Sequence, residues 1–306
     1  MNLKTPMLIA VVLNLVVASH GAFAQDQLNK LELKAENQRQ YERTAEALKT
    51  INQVIASSPK RASAFYLRGL INEDLNDLKQ ALADYAKAIE YDPKHFNAYR
   101  QRAKLQVSLK EFDKGIQDFS KAIALNPNVK SCYADRALSY EVMKKYPKAI
   151  EDFTMAIERA DATHVWYYTH RARCYENLKQ EDKALKDYSH AIATKPGSYE
   201  AINGRAKMYL QMGKTDLALR DYDALVKVSP DDPDAHIRRG DLLFDKGQFQ
   251  KALDAYNLAM EAELGDAPYI YDKRARVLRK LGKVDLAAAD EKKAIKIRQS
   301  AAVRKI

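Results

Sequence analysis

From Leu28 onward, small and apolar positions recur with a period far longer than a helix turn. Ala35, Gly69, Ala103, Ala137, Ala172, Ala206, Gly240 and Ala275 stand 34 residues apart, with two steps of 35. Ala47, Ala81, Gly115, Ala149, Ala184, Ala218, Ala252 and Ala287 keep the same steps in the same places. An aromatic residue follows four positions behind six of this second set, at Tyr85, Phe119, Phe153, Tyr188, Tyr222 and Tyr256. Pro59, Pro93 and Pro127 keep the 34-residue beat, as do Pro196 and Pro230. The segments between are rich in Ala, Leu, Lys, Glu and Gln, which are good helix formers. No run of alternating β-branched residues suggests a strand. The pattern predicts an all-α chain.

Each period reads as two helices joined by a tight turn, such as Leu75-Asn76-Asp77, Met212-Gly213-Lys214, Lys246-Gly247-Gln248 and Leu281-Gly282-Lys283. Small residues belong where two helix backbones come close, and the aromatic fills the space between one helix pair and the next. The proline ends the second helix, because the residue before it resists the helical conformation. One pair cannot bury its apolar face, so stacking is obligatory. Eight repeats are expected, at about 28–61, 62–95, 96–129, 130–164, 165–198, 199–232, 233–267 and 268–301.

The recurrence of a small residue at position 8, Ala at 20, an aromatic at 24 and Pro at 32 closely resembles the tetratricopeptide-repeat family, across residues 28–298. The resemblance implies an α-solenoid of stacked helix-turn-helix repeats forming a right-handed superhelix. One departure is systematic. Position 7, commonly Leu in that family, is Arg in seven repeats: Arg68, Arg102, Arg136, Arg171, Arg205, Arg239 and Arg274. Position 23 is Asp in six of the same repeats (Asp84, Asp118, Asp152, Asp187, Asp221, Asp290), and only the repeat of Arg239 has Ala255 instead. These are expected to be structural ion pairs and not a basic ligand stripe. The first repeat is degenerate at Gln38, Gln40 and Ile51, and the last carries Glu291 in place of the aromatic, on a face expected to meet water.

The resemblance further implies a concave groove lined by first-helix positions 2, 5, 9, 12 and 13, which takes peptide segments or partner helices. Here these include Tyr66, Leu70, Arg100, Lys104, Leu138, Trp166, Arg173, Asn203, Lys207, Leu210, Ile237 and Phe244. Arg100, Lys104, Trp166, Arg173, Asn203 and Lys207 are the candidate binding residues. Trp166 is the only Trp, placed just after Asp161 replaces the periodic Pro. An aromatic anchor flanked by Arg, Lys and Asn has the composition of a binding hot spot. Packing at the irregular junction is the competing account. The family's clamp for a C-terminal carboxylate, a Lys–Asn pair at positions 5 and 9 with Asn and Lys or Arg in the next repeat, is absent. Binding of a chaperone tail is therefore disfavoured.

The first residues stand apart. Lys4 precedes a 12-residue apolar stretch, Met7–Ala18, broken only by Asn14, and Ala22-Phe23-Ala24 offers a cleavage pattern before Gln25. The expectation is a signal peptide over 1–24 and a single solenoid over 25–306. The run is shorter than the ~20 residues that span a bilayer, so no stable membrane insertion is expected after cleavage. An exported protein follows, periplasmic or secreted. The net charge of +10 is concentrated at the C-terminal end, where Pro268–Ile306 holds twelve Lys and Arg against four Asp and Glu. That end suits contact with an acidic surface, while the near-neutral remainder gives no nucleic-acid stripe.

Chemistry is sparse. His170 and Cys174 share a helix face but lack further ligands for zinc, so no metal is expected. No phosphate loop, nucleophile elbow or HExxH occurs, so neither a cofactor nor catalysis is expected. Cys132 and Cys174 are expected to be separate, reduced, buried thiols, since their register offset exceeds disulfide reach. The functional expectation is a non-catalytic scaffold that binds a peptide or partner protein, in envelope assembly, secretion or surface-polymer export. The alternative is a regulatory, non-catalytic subunit of an envelope enzyme such as a glycan synthase.

Overall fold

A computed structural model describes residues 24–159, 164–262 and 267–303. Most of the expected signal peptide and Asp161, the site of the period break, lie outside the described residues. Sixteen α-helices, and no strand, occur among the described residues. The residues fall into two compact units, one ending at Met143 and one beginning at Lys144.

The first unit holds α1 (24–40), α2 (Thr44–Ser57), α3 (Ala62–Asp74), α4 (Leu78–Tyr91), α5 (Phe96–Ser108), α6 (Phe112–Leu125) and α7 (Lys130–Val142). The second holds α8 (Tyr146–Glu158), α9 (Val165–Asn177), α10 (Glu181–Thr194), α11 (Tyr199–Gln211), α12 (Thr215–Val228), α13 (Pro233–Asp245), α14 (Phe249–Ala262), α15 (Pro268–Lys280) and α16 (Val284–Val303). From α2 onward each helix packs on the next within its unit, and first helices of successive repeats also touch, as α5 with α7 and α9 with α11. This is the stacked helix-turn-helix arrangement expected from the period.

The connections follow from backbone chemistry. Second helices end where a proline approaches, and the residues before Pro93, Pro127 and Pro196 leave the helical region: Asp92 (φ −134°, ψ 92°), Asn126 (−143°, 92°) and Lys195 (−136°, 91°). First helices end in a tighter device. Asp77 N–H donates back to Asn72 C=O at 2.8 Å, and Lys214 N–H does the same to Tyr209 C=O at 2.7 Å. These are Schellman closures, which place one residue in the left-handed region. Gly213, Gly247 and Gly282 fill that place at φ 70–73°. Asn76, Lys110 and Lys179 adopt it at φ 59°, 64° and 58°, where a side chain is strained.

Small residues sit at the helix crossings. Ala81, Ala103, Ala172, Ala206, Ala218 and Ala252 are fully buried. At Gly69 on α3, a Cβ would lie 2.5 Å from Cε1 of Tyr85 on α4, so the ring occupies the room that glycine leaves. The repeating aromatics Tyr85, Phe119, Phe153, Tyr188, Tyr222 and Tyr256 are all at most 2% exposed. Cys132 and Cys174 are buried free thiols, and burial pushes the Cys132 thiol up to about 11.

The Arg ladder is present and reaches further than a pairing within each repeat. Arg205 on α11 donates through Nε and Nη2 to both oxygens of Asp221 on α12, at 2.9 and 2.7 Å. Arg68–Asp84, Arg102–Asp118, Arg171–Asp187 and Arg274–Asp290 repeat this two-pronged contact. The third guanidinium nitrogen then turns to the preceding repeat. Nη1 of Arg68, Arg136, Arg171, Arg205 and Arg274 donates to Asn52, Ser120, Thr154, Ser189 and Asn257 respectively, at 2.8–3.1 Å. Those acceptors share position 25, which the sequence reading overlooked. Arg239 corrects the expectation that its repeat lacks a carboxylate partner. Position 25 there is Asp223 on the preceding helix, which accepts from Arg239 Nε at 2.6 Å. The carboxylate has moved across the repeat boundary. At the chain's end, Glu291 is half-exposed and pairs with Arg279 at 2.7 Å.

Candidate functional site

First helices present two kinds of face. The ladder face has its guanidinium groups engaged by carboxylates, as at Arg68, Arg102, Arg171, Arg205, Arg239 and Arg274. The opposite face carries the candidate residues, which separate into three local sites.

In the first unit, Arg100 and Lys104 lie one turn apart on α5. Across from them Asp135 on α7 is partly buried. Desolvation holds its carboxyl above the usual carboxylate range, and the charges of Lys104 and Arg100 oppose that rise. Those two cations thus serve an internal carboxylate.

In the second unit, Trp166 and Arg173 line one cleft of about 880 Å³ between the start of α9 and the α10–α11 connection. Thr169, His170, Lys195 and Glu200 are among its other walls. A cavity of this size is in the range that holds a small ligand or a few side chains of a peptide. Trp166 is 39% exposed. Its ring meets Tyr167 at 4.5 Å, and lies edge-on to His170 at 5.1 Å and Phe153 at 6.2 Å. The indole is thus propped by aromatic neighbours with one face left to the cleft, so anchoring and packing are both served by the same ring.

Asn203 and Lys207 do not enter that cleft. They line a smaller pocket with Tyr199, Tyr222, Asp234 and Arg238, on α11, α12 and α13. Arg238 was not anticipated, whereas Asp234 stands at a counted groove position, 2, without having been singled out. Position 6 of a first helix was not counted as inward-facing, and only the fold brings Arg238 beside Lys207. Two other expected groove residues are corrected: Leu70 and Ile237 are at most 9% exposed and belong to the apolar core.

Among the described residues, no group of three or more His, Cys, Asp or Glu could hold a metal ion, and no helix is long and apolar enough to cross a membrane.

Stacked antiparallel helix pairs of one length, small residues at fixed crossings and an open first-helix face define a helical-repeat protein. Family models described as tetratricopeptide repeat match residues 62–95, 96–129, 167–198 and 203–268, together over half of the chain. The chain belongs to the tetratricopeptide-repeat family. Solved structures agree on the fold. The C-terminal part of a repeat-containing protein from Cytophaga hutchinsonii is 17% identical, with TM-score 0.68, covering 79% of this chain and 98% of its own. A tetratricopeptide repeat protein from Parabacteroides merdae is 20% identical, with TM-score 0.56, over 82% and 98%. Pseudomonas aeruginosa pilF is 17% identical, with TM-score 0.52, over 64% and 88%. No curated protein matches the sequence.

Proposed function

We propose that this chain is an exported, non-catalytic scaffold that holds an extended segment of a partner protein against the first-helix faces of α9, α11 and α13. The observation that carries the reading is the cleft at Trp166. A large aromatic residue, 39% exposed, stands over about 880 Å³ of open space with Arg173 and Lys195 at its walls. Exposed aromatics flanked by cations are the usual anchors of protein interfaces. The stable family role of such arrays, presentation of a surface to protein or peptide partners, agrees with this placement. An envelope setting follows from the leader-like first residues, and the basic α15–α16 end is suited to an acidic surface there.

The experiment is selection of a displayed random-peptide library on the full mature chain, followed by titration of a selected peptide, carrying its own fluorescent label, by fluorescence anisotropy. Trp166→Ala is expected to weaken that peptide by more than ~2 kcal/mol while the variant stays folded. A folded variant that binds the peptide normally would refute the site. N-terminal sequencing from the native host is expected to begin at Gln25, and an intact Met1 in a membrane fraction would refute export of a cleaved product.

A further inference from the structure

Four of the repeating aromatics are tyrosines, each with its ring buried between repeats. Three have their hydroxyl satisfied by a carboxylate on the first helix of the same repeat. Tyr85 donates to Glu73, Tyr188 donates to Glu176 at 3.2 Å, and Tyr256 donates to Asp241 at 2.6 Å. Those acids stand at position 12 in two repeats and position 9 in the third. In the repeat of Tyr222 the same two positions are Leu210 and Lys207. Tyr222 is 1% exposed, and its hydroxyl has no hydrogen-bond partner among the described residues. A buried donor left unmade is costly, which makes the exception informative.

The space into which this hydroxyl opens is the pocket shared with Asn203, Lys207 and Arg238, with a volume of about 60 Å³. That is a small recess, well below the roughly 300–1,000 Å³ of a drug-sized ligand site and above the roughly 10–15 Å³ that one water needs, a size suited to a single polar group. Its walls are rich in donors. Lys207 and Arg238 line it with one carboxylate, Asp234, and the nearby Asp221 and Asp241, whose charges also reach the Tyr222 hydroxyl, are already paired with Arg205 and Lys273. Tyr199 donates its own hydroxyl to Asp232.

We infer that this pocket is a carboxylate subsite of the groove, in which an Asp or Glu side chain of the bound segment takes the place that Glu73, Glu176 and Asp241 fill in the other repeats. The ligand acid would accept from the Tyr222 hydroxyl and lie between Lys207 and Arg238. This refines the peptide-binding reading given above and rests on it for the identity of the natural ligand. The geometry of the subsite itself stands on the chain alone.

The test uses the full mature chain and two small probes, N-acetyl-glutamate amide and its neutral isostere N-acetyl-glutamine amide. Binding is followed through the NMR signals of the Asn203 side-chain amide and the Ala235 backbone amide. The glutamate probe is expected to shift both signals saturably, and the glutamine probe to leave them in place. Tyr222→Phe, which removes only the hydroxyl, is expected to weaken the glutamate probe about tenfold, in keeping with a hydrogen bond to a charged group. The same variant should melt at or above the parent temperature, since it deletes an unpartnered donor. Arg238→Gln should weaken the probe as well. Equal responses to both probes, or none, would overturn the subsite. So would a loss of stability in Tyr222→Phe without loss of binding, the sign of a pocket that holds only structural water. Library peptides that bind without enrichment of an acid would count against the subsite and leave the groove reading intact. Glutamate binding with no selected peptide would do the reverse.

Discussion

Removing Arg205 tests the energetic reasoning most directly. Its guanidinium makes two hydrogen bonds to Asp221 and a third, at 3.1 Å, to Ser189 on the preceding repeat. The Asp221 side chain is only 7% exposed, whereas that of Arg205 is 21% exposed. The hydrogen bond to Asp221 raises the guanidinium above its ordinary pKa, so Arg205 stays a cation. Arg205→Ala therefore leaves a carboxylate in a nearly dry site, and its cost is ~3–5 kcal/mol. Asp221→Ala leaves a cation that water can still reach and that keeps Ser189, so about 2 kcal/mol is expected. The inequality between the two single variants is the signature of the geometry. The double variant should recover at least ~1.5 kcal/mol relative to the sum of the two, because no orphan charge remains. Urea unfolding followed by circular dichroism measures all three, with melting shifts of ~2–4 °C per kcal/mol as a check. Arg239→Ala is the internal control. Its partner Asp223 is 44% exposed, and the loss should stay near ~1 kcal/mol. If Arg205→Ala and Arg239→Ala cost the same, or the cycle shows no coupling, burial of the carboxylate is not what the ladder exploits.

Three further outcomes are expected. Gly69→Ala should destabilise by ~1–3 kcal/mol by calorimetry, because its methyl group would press on the buried Tyr85 ring, while Gly197→Ala, with nothing within 4 Å, should be neutral. Lys179→Gly should stabilise by up to ~1 kcal/mol in urea unfolding, since φ 58° is strained for a side chain; destabilisation would show that the lysine compensates elsewhere. His95 caps α5 by accepting from Ala98 N–H through Nδ1 at 3.2 Å, and burial lowers its pKa below the ordinary histidine value. A depressed pKa means its contribution is complete above pH ~6.5 and is lost as pH falls through the folded value. The melting temperature should drop over that window, and His95→Asn, which caps without titrating, should remove that part of the drop.

The period, the helix pairs and the Arg–Asp pairing were legible because each is written as a fixed spacing within one repeat. Turns built on glycine were legible for the same reason, as at Gly213 and Gly247. Lys110 and Lys179 were not, because the left-handed residue of a Schellman closure is dictated by the closing hydrogen bond and any side chain can be forced into it. The partner of Arg239 escaped a reading confined to single repeats: Asp223 belongs to the repeat before, and only helix stacking places it opposite. The candidate groove was legible as a set of positions and not as a set of sites. Trp166 and Arg173 do share a cleft, but Asn203 and Lys207 belong to another pocket, because α11 turns those two toward α13. Arg238 and Tyr222 enter that pocket from positions that spacing assigns to the wall and the core.

The Nη1 contacts give neighbouring repeats a shared fastening, and one fastening is missing. Position 25 ahead of Arg102 is Ala86, which offers no acceptor, so Arg102 holds Asp118 alone. In a linear array each seam contributes its own share of cohesion, and cracks start at the weakest seam. The seam between α4 and α5 is therefore where strain applied along the first unit should open first, with the helix pairs on either side still intact. A single methyl group in place of a hydroxyl or amide thus sets where the stack gives way.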